Sequence, residues 1–203
     1  MEQIVNQITV RGELLDLPEF SHENHGKRFY RFYLDIPRLS GNADCLPVIA
    51  EQGILDTIDL SGGGMLTVTG QIRSHNTRSG GGRHLLIFIF ANAIAAEDGP
   101  PCNDVIIEGP LCKEPIYRRT PLGREICDAM LAVKRSFRRA DYLPCIFWGR
   151  TAEEIALCHT GDCIRVMGRL QSRTYIKRTE AGQTERVAYE ISALSAQIRE
   201  KDI

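Results

Sequence analysis

What this chain lacks narrows its function before anything it contains. It has no apolar run long enough to cross a bilayer: the most apolar stretch, residues 85–94, falls well short of the ~20 residues a membrane helix needs and lies mid-chain, away from any secretion signal. A cytoplasmic location with no membrane partner is expected. Its seven cysteines form no Cys-x-x-Cys pair, and an odd count reads as reduced core or surface thiols. Cys158, His159 and Cys163 come nearest to a metal-binding set but lack a matching second pair, so no metal and no cofactor are expected. The five histidines are scattered, none with a carboxylate and a nucleophile in a recognisable arrangement, which argues against an enzyme. Residues 79–83 are Gly-rich but lack the Lys-Ser/Thr and helix of a phosphate loop, and read as a hairpin tip.

What the chain has is itself, twice. Displaced by 97 positions without a gap, Asn6, Gly12, Leu14, Pro18 and Gly26 fall on Asn103, Gly109, Leu111, Pro115 and Gly123. Leu34, Arg38, Ala43, Asp44, Leu46, Pro47 and Ile49 then fall on Leu131, Arg135, Ala140, Asp141, Leu143, Pro144 and Ile146. These are 12 identities in 44 positions, against roughly 3 expected from composition. With one extra residue the register continues through Gly63, Val68, Gly70 and Ser74 on Gly161, Val166, Gly168 and Ser172. Two domains are expected, 1–96 and 103–200, each large enough for its own core. The joint around Gly99, Pro100 and Pro101 is short and stiff, which restricts their relative orientation.

Within each copy the alternation is that of strands. Strands are expected over 4–13, 28–38, 44–50, 65–74 and 85–94, then over 105–111, 125–135, 142–148, 163–173 and 186–198. One short helix fits between strands three and four: 54–60 in the first copy, and in the second a helix opened by a Thr151/Glu154 capping box. Gly12 and Gly109, mid-strand, read as bulges that bend a long first strand. The fold class expected is all-β: two tandem OB-fold five-stranded barrels, each with one short helix between strands three and four.

A formal net charge of −1 hides an asymmetry. Residues 1–98 carry 8 basic and 12 acidic groups, residues 103–203 carry 17 and 14, so the second copy is the better home for an anion. In the first copy Phe29, Arg31 and Tyr33 are expected to face outward, either as a second nucleic-acid surface or as a subunit contact. The acidic surroundings favour contact.

In the second copy, Pro144-Cys-Ile-Phe-Trp-Gly-Arg-Thr-Ala-Glu153, then Gly161-Asp162, then Gly168-Arg-Leu-Gln-Ser-Arg-Thr-Tyr175, resembles the bacterial single-stranded DNA-binding protein family. Its hallmarks occur here in order: a strand ending in aromatic-Gly-Lys/Arg-x-Ala-Glu, a Gly-Asp turn, and Gly-Arg-Leu-x-x-Arg-x-aromatic. The resemblance implies sequence-tolerant binding and protection of single-stranded DNA in DNA replication, repair and recombination, at the nucleoid. It implies stacking of bases on Phe137, Tyr142, Trp148 and Tyr175, with Arg135, Arg138, Arg139, Arg150, Arg169, Arg173, Lys177 and Arg178 near them for phosphates or bases. The alternative for each ring is core packing. In the first copy these four aromatics correspond to Ser40, Cys45, Glu51 and Thr77, so the first barrel is read as degenerate scaffold.

Family members typically act as four OB barrels, which implies a homodimer of this two-barrel chain. Members usually end in an acidic tail that recruits replication and repair enzymes. The chain stops soon after its last strand, so recruitment by such a tail is not expected. The competing function is an OB-fold protein-interaction or assembly module of the replication or primosome machinery, with little DNA binding.

Overall fold

The computed structural model describes residues 4–79, 82–137, 139–179 and 182–199. Two barrels follow one another. The first comprises β1 (Asn6–Leu14), β2 (Glu19–Asn24), β3 (Lys27–Pro37), β4 (Ala43–Glu51), α1 (Gln52–Leu55), β5 (Met65–Ser79) and β6 (Gly82–Ala96). The second repeats it as β7 (Cys102–Pro110), β8 (Ile116–Arg119), β9 (Glu125–Arg135), β10 (Arg139–Trp148), α2 (Gly149–Ala156), β11 (Cys163–Thr179) and β12 (Gly182–Arg199). Alternation sends Phe32, Leu34 and Ile36 of β3, and Cys127, Ala129, Leu131 and Val133 of β9, into the core. Ala152 and Ile155 of α2 are buried, so the helix packs its apolar side on the second barrel.

Several expectations are corrected. Each copy has a further edge strand, β2 or β8, paired to β3 or β9. All residues of both are exposed, so no alternation marks them in the sequence. The helix of the second copy starts at Gly149, with Trp148 as an N-cap that makes no side-chain cap bond; Thr151 is already inside it, and Glu154 pairs with Arg150. The first-copy helix is shorter and earlier than expected, at Gln52–Leu55. Gly12 and Gly109 are not bulges. They are places of close approach, where a Cβ would lie 2.5 Å from the carbonyl oxygen of Asp35 or Ala132 as the first strand folds over the barrel. The register breaks fall instead at Gly70 and Gly168.

The barrels are joined by an antiparallel ladder between β1 and β7 in which Ile8 pairs with Val105, its own counterpart in the repeat. A pseudo-twofold axis therefore passes through that pair, and the polar residues shared by both copies are arranged about it. Asn6 exchanges two hydrogen bonds of 2.8 Å with the backbone of Ile72, and Asn103 does the same with Leu170 at 2.7 and 3.0 Å. Asp44 of the first barrel accepts the Ser172 backbone N–H of the second at 2.7 Å, while Asp141 of the second accepts that of Ser74 of the first at 2.7 Å. The two carboxylates are 1% and 0% exposed, and each is neutralised by arginine: Asp44 by Arg38, Asp141 by Arg73 and Arg135. A buried charge is tolerated only when paired and hydrogen-bonded, so Arg38/Arg135, Asp44/Asp141 and Ser74/Ser172 are repeated because both barrels need them to hold each other.

Candidate nucleic-acid interface

Along β10, Asp141, Leu143, Cys145 and Phe147 point inward, which turns Tyr142, Pro144, Ile146 and Trp148 to the other face. Tyr142 is 45% exposed and Trp148 39%, so neither ring is a core residue. They are six residue steps apart along the strand, about 20 Å. The Trp148 indole Nε1 donates to Ser192 Oγ at 3.3 Å, tying the ring to β12. Ser192 lies opposite Arg169 on β11, from which alternation carries Gln171, Arg173 and Tyr175 along the same face. The Tyr175 ring is 39% exposed, with the Arg173 guanidinium 5.8 Å from its centroid. One face crossing β10, β12 and β11 thus carries three accessible rings interleaved with arginines.

Sequence reasoning missed Arg186 on this face. It pairs directly across the hairpin from Tyr175 and is exposed; the signal was the hairpin register. Arg169 is half-buried, and its Nε has no hydrogen-bond partner among the described residues. A buried N–H left in that state costs about 1–3 kcal/mol, which a ligand acceptor would offset.

At the rim, the turn from β9 to β10 lifts Phe137 clear of the protein, 94% exposed with φ +62°. A non-glycine residue in that region costs about 1–3 kcal/mol. Arg135 flanks the turn and is anchored by Asp141 at 3.4 Å, and Arg139 is exposed on its other side. Arg150 sits on α2, paired with Glu154 at 3.0 Å. The glycine of the Trp-Gly-Arg run has φ +54°, the left-handed geometry that lets the chain turn from strand into helix at that point. Arg138 lies outside the described residues, as do the side chains of Lys177 and Arg178.

The first barrel presents a different surface. Glu51, which replaces the tryptophan, is held by Lys27 at 2.9 Å. Phe29 faces the expected side but is only 7% exposed, because it stacks on His22 across the β2–β3 ladder (4.9 Å, 11°) and packs near Phe90 (5.9 Å). The expected exposed pair of rings is therefore absent: Arg31 is exposed, Tyr33 is half-buried, and Phe29 is covered. Among the described residues no group of three or more His, Cys, Asp or Glu is arranged to hold a metal ion. His159 instead contacts Glu114 at 3.2 Å, and the Cys158 thiol is buried. Burial pushes the Cys127 thiol up to about 11 and the Cys145 thiol higher still, so both stay protonated at neutral pH.

The single-strand binding protein family model matches residues 102–198. The chain is 41% identical to single-stranded DNA-binding protein B of Bacillus subtilis over 80 residues, 36% of this chain and 71% of that protein. It is 39% identical to single-stranded DNA-binding protein A of the same organism over 106 residues, 48% of this chain and 59% of that one. It is 40% identical to the Bacillus cereus single-stranded DNA-binding protein over 80 residues, spanning 47% of its length. The chain belongs to the single-strand binding protein family. The wild-type single-stranded DNA binding protein from Thermus aquaticus superposes with a TM-score of 0.79 at 20% identity, covering 100% of this chain and 96% of that one. At that identity the match establishes a shared fold, here along the whole two-barrel chain.

Proposed function

We propose that the protein binds single-stranded DNA without reading its sequence, mainly through the outer face of the second barrel. Bases stack on Tyr142, Trp148, Tyr175 and Phe137, and phosphates are held by Arg135, Arg139, Arg169, Arg173 and Arg186. The observation that carries this reading is the accessibility of all four rings beside arginines on one barrel, with a serine, a cysteine, a glutamate and a threonine at the equivalent places of the other. Aromatic rings offer a face to any base, and each stacked base is worth roughly 1–3 kcal/mol. Binding of single-stranded DNA by the named relatives supports the same ligand.

The reading carries with it a cytoplasmic, nucleoid-associated location and a homodimer with four barrels. Exposed apolar side chains on the second barrel, Leu194 and Met167 among them, support a further contact between chains. The test is competition between single-stranded and duplex oligonucleotides of equal length, with chain mass measured in parallel. Preference for the single strand, lost stepwise in Trp148→Ala and Tyr175→Ala, is expected. Equal retention of duplex and single strand, or Trp148→Ala within twofold of wild type, contradicts the proposal.

A further inference from the structure

A cavity of about 550 Å³ opens at the seam between the two barrels. Its floor is the first barrel: Arg31 and Tyr33 of β3, His75 of β5 and Phe88 of β6 line it. Its wall is the second barrel, which contributes Arg135 and Tyr189. The volume is in the range of sites that enclose a small organic ligand, roughly 300–1,000 Å³. No carboxylate is among the described residues that line it, although the first barrel is acidic overall. Two arginines and two histidines face a space that also holds three aromatic rings. Arg31 already lies 5.9 Å over the Tyr33 ring, a pairing of cation and π-face suited to a stacked base beside a phosphate.

We infer that this seam cleft is a second nucleobase site, occupied by about one or two nucleotides of the same single strand as it leaves the second-barrel face. The inference rests on the function proposed above and adds to it a site built from both barrels. Continuity argues for that occupant. Arg135 belongs at once to the cleft and to the Phe137 turn, and Ser74, another lining residue, accepts the Tyr142 backbone N–H at 2.7 Å. A strand stacked on Tyr142 and Phe137 is therefore at the mouth of the cleft.

The repeat does not supply this site twice. By strand pairing, the counterparts of Tyr33, Phe88 and Tyr189 are Met130, Glu190 and Ile87, so the rings belong to one seam only. The rings of this seam stand at positions 33, 88 and 189, away from positions 40, 45, 51 and 77, where the first barrel lacks aromatics.

The experiment uses the full chain and oligo-dT carrying 4-thiothymidine at successive positions, with cross-linked peptides mapped by mass spectrometry. In parallel, the length of strand occluded per chain is measured from Trp148 fluorescence for wild type and for Tyr33→Leu with Phe88→Leu. Cross-links to Tyr33, Phe88 or Tyr189 in the wild type are expected in addition to those on the second-barrel face. The double variant should cover a shorter strand and bind long oligo-dT about tenfold or more weakly, while an oligomer short enough for one barrel face binds within about twofold of wild type. Cross-links confined to the second-barrel face, with occluded length unchanged, would overturn the seam site and leave the main proposal standing. Absence of all binding would remove both. Because cross-linking is read on the wild type, a variant that folds poorly does not protect the inference.

Discussion

Replacing Asp141 by Asn should loosen the two barrels from one another. The Asp141 side chain is fully buried; its Oδ1 accepts the Ser74 backbone N–H at 2.7 Å and Arg135 Nη1 at 3.4 Å, and its Oδ2 accepts Arg73 Nη1 at 3.2 Å. Asparagine keeps the shape and one acceptor, which can still serve Ser74, but sets an NH2 against the donors of an arginine and removes the charge that neutralises two guanidinium groups. Breaking a buried pair typically costs about 3–5 kcal/mol. Both arginines retain some solvent and the Ser74 bond survives, so about 2–3 kcal/mol is expected. For a chain of this size that lowers the unfolding midpoint by about 5–10 °C, readable by calorimetry or circular dichroism. The pseudo-twofold adds a control: Asp44→Asn, which faces Ser172 at 2.7 Å and Arg38, should cost a similar amount. If both variants melt within about 1 °C of wild type, the reciprocal carboxylates do not hold the barrels together, and the physical account of the repeated residues fails.

Phe137→Gly separates function from stability at one residue. Relief of the φ +62° strain should leave the protein as stable as wild type or more so, while loss of the ring weakens oligo-dT binding by about 1–3 kcal/mol, measured by melting and by titration. Burial pushes the Tyr189 phenol from its ordinary 10 up to about 12, with the charges of Cys45 and Tyr33 adding to it. The folded state therefore holds this proton more tightly than the unfolded chain. Its contribution is intact below pH ~10 and fades as the pH rises toward ~12. Phenolate absorbance should show a tyrosine titrating near 12 that is lost in Tyr189→Phe, and the stability advantage of wild type over that variant should shrink across the same window. A single uniform titration of all tyrosines would contradict the burial of Tyr189 at the seam.

Much of the architecture was legible because it is written in periodicity. The repeat register, the alternating strands and the strand–helix–strand order need only local pattern. Residues whose reason is long-range were not legible. Asp44 and Ser172 stand out as repeated, but their hydrogen bond spans 128 positions and only the fold brings them together. β2 and β8 were invisible because an edge strand exposed on both faces has no alternation. Gly12 and Gly109 were recognised as special for the wrong reason: a mid-strand glycine signals either a bulge or a close approach, and only the neighbouring carbonyl distinguishes them. The rings of the second barrel were found from motif order. Arg186 and Tyr189 were missed because their partners lie across a hairpin in one case and in the other barrel in the second.

Emission of Trp148, the single tryptophan of the chain, during titration with oligo-dT at several salt concentrations tests base stacking on the second barrel most directly. Stacking of a base on that ring predicts saturable quenching. The affinity should fall linearly in log–log form with added salt, at about 0.7 per phosphate neutralised. Emission that stays unchanged while oligo-dT binds, or quenching indifferent to salt, would contradict a site made of that ring and its surrounding arginines.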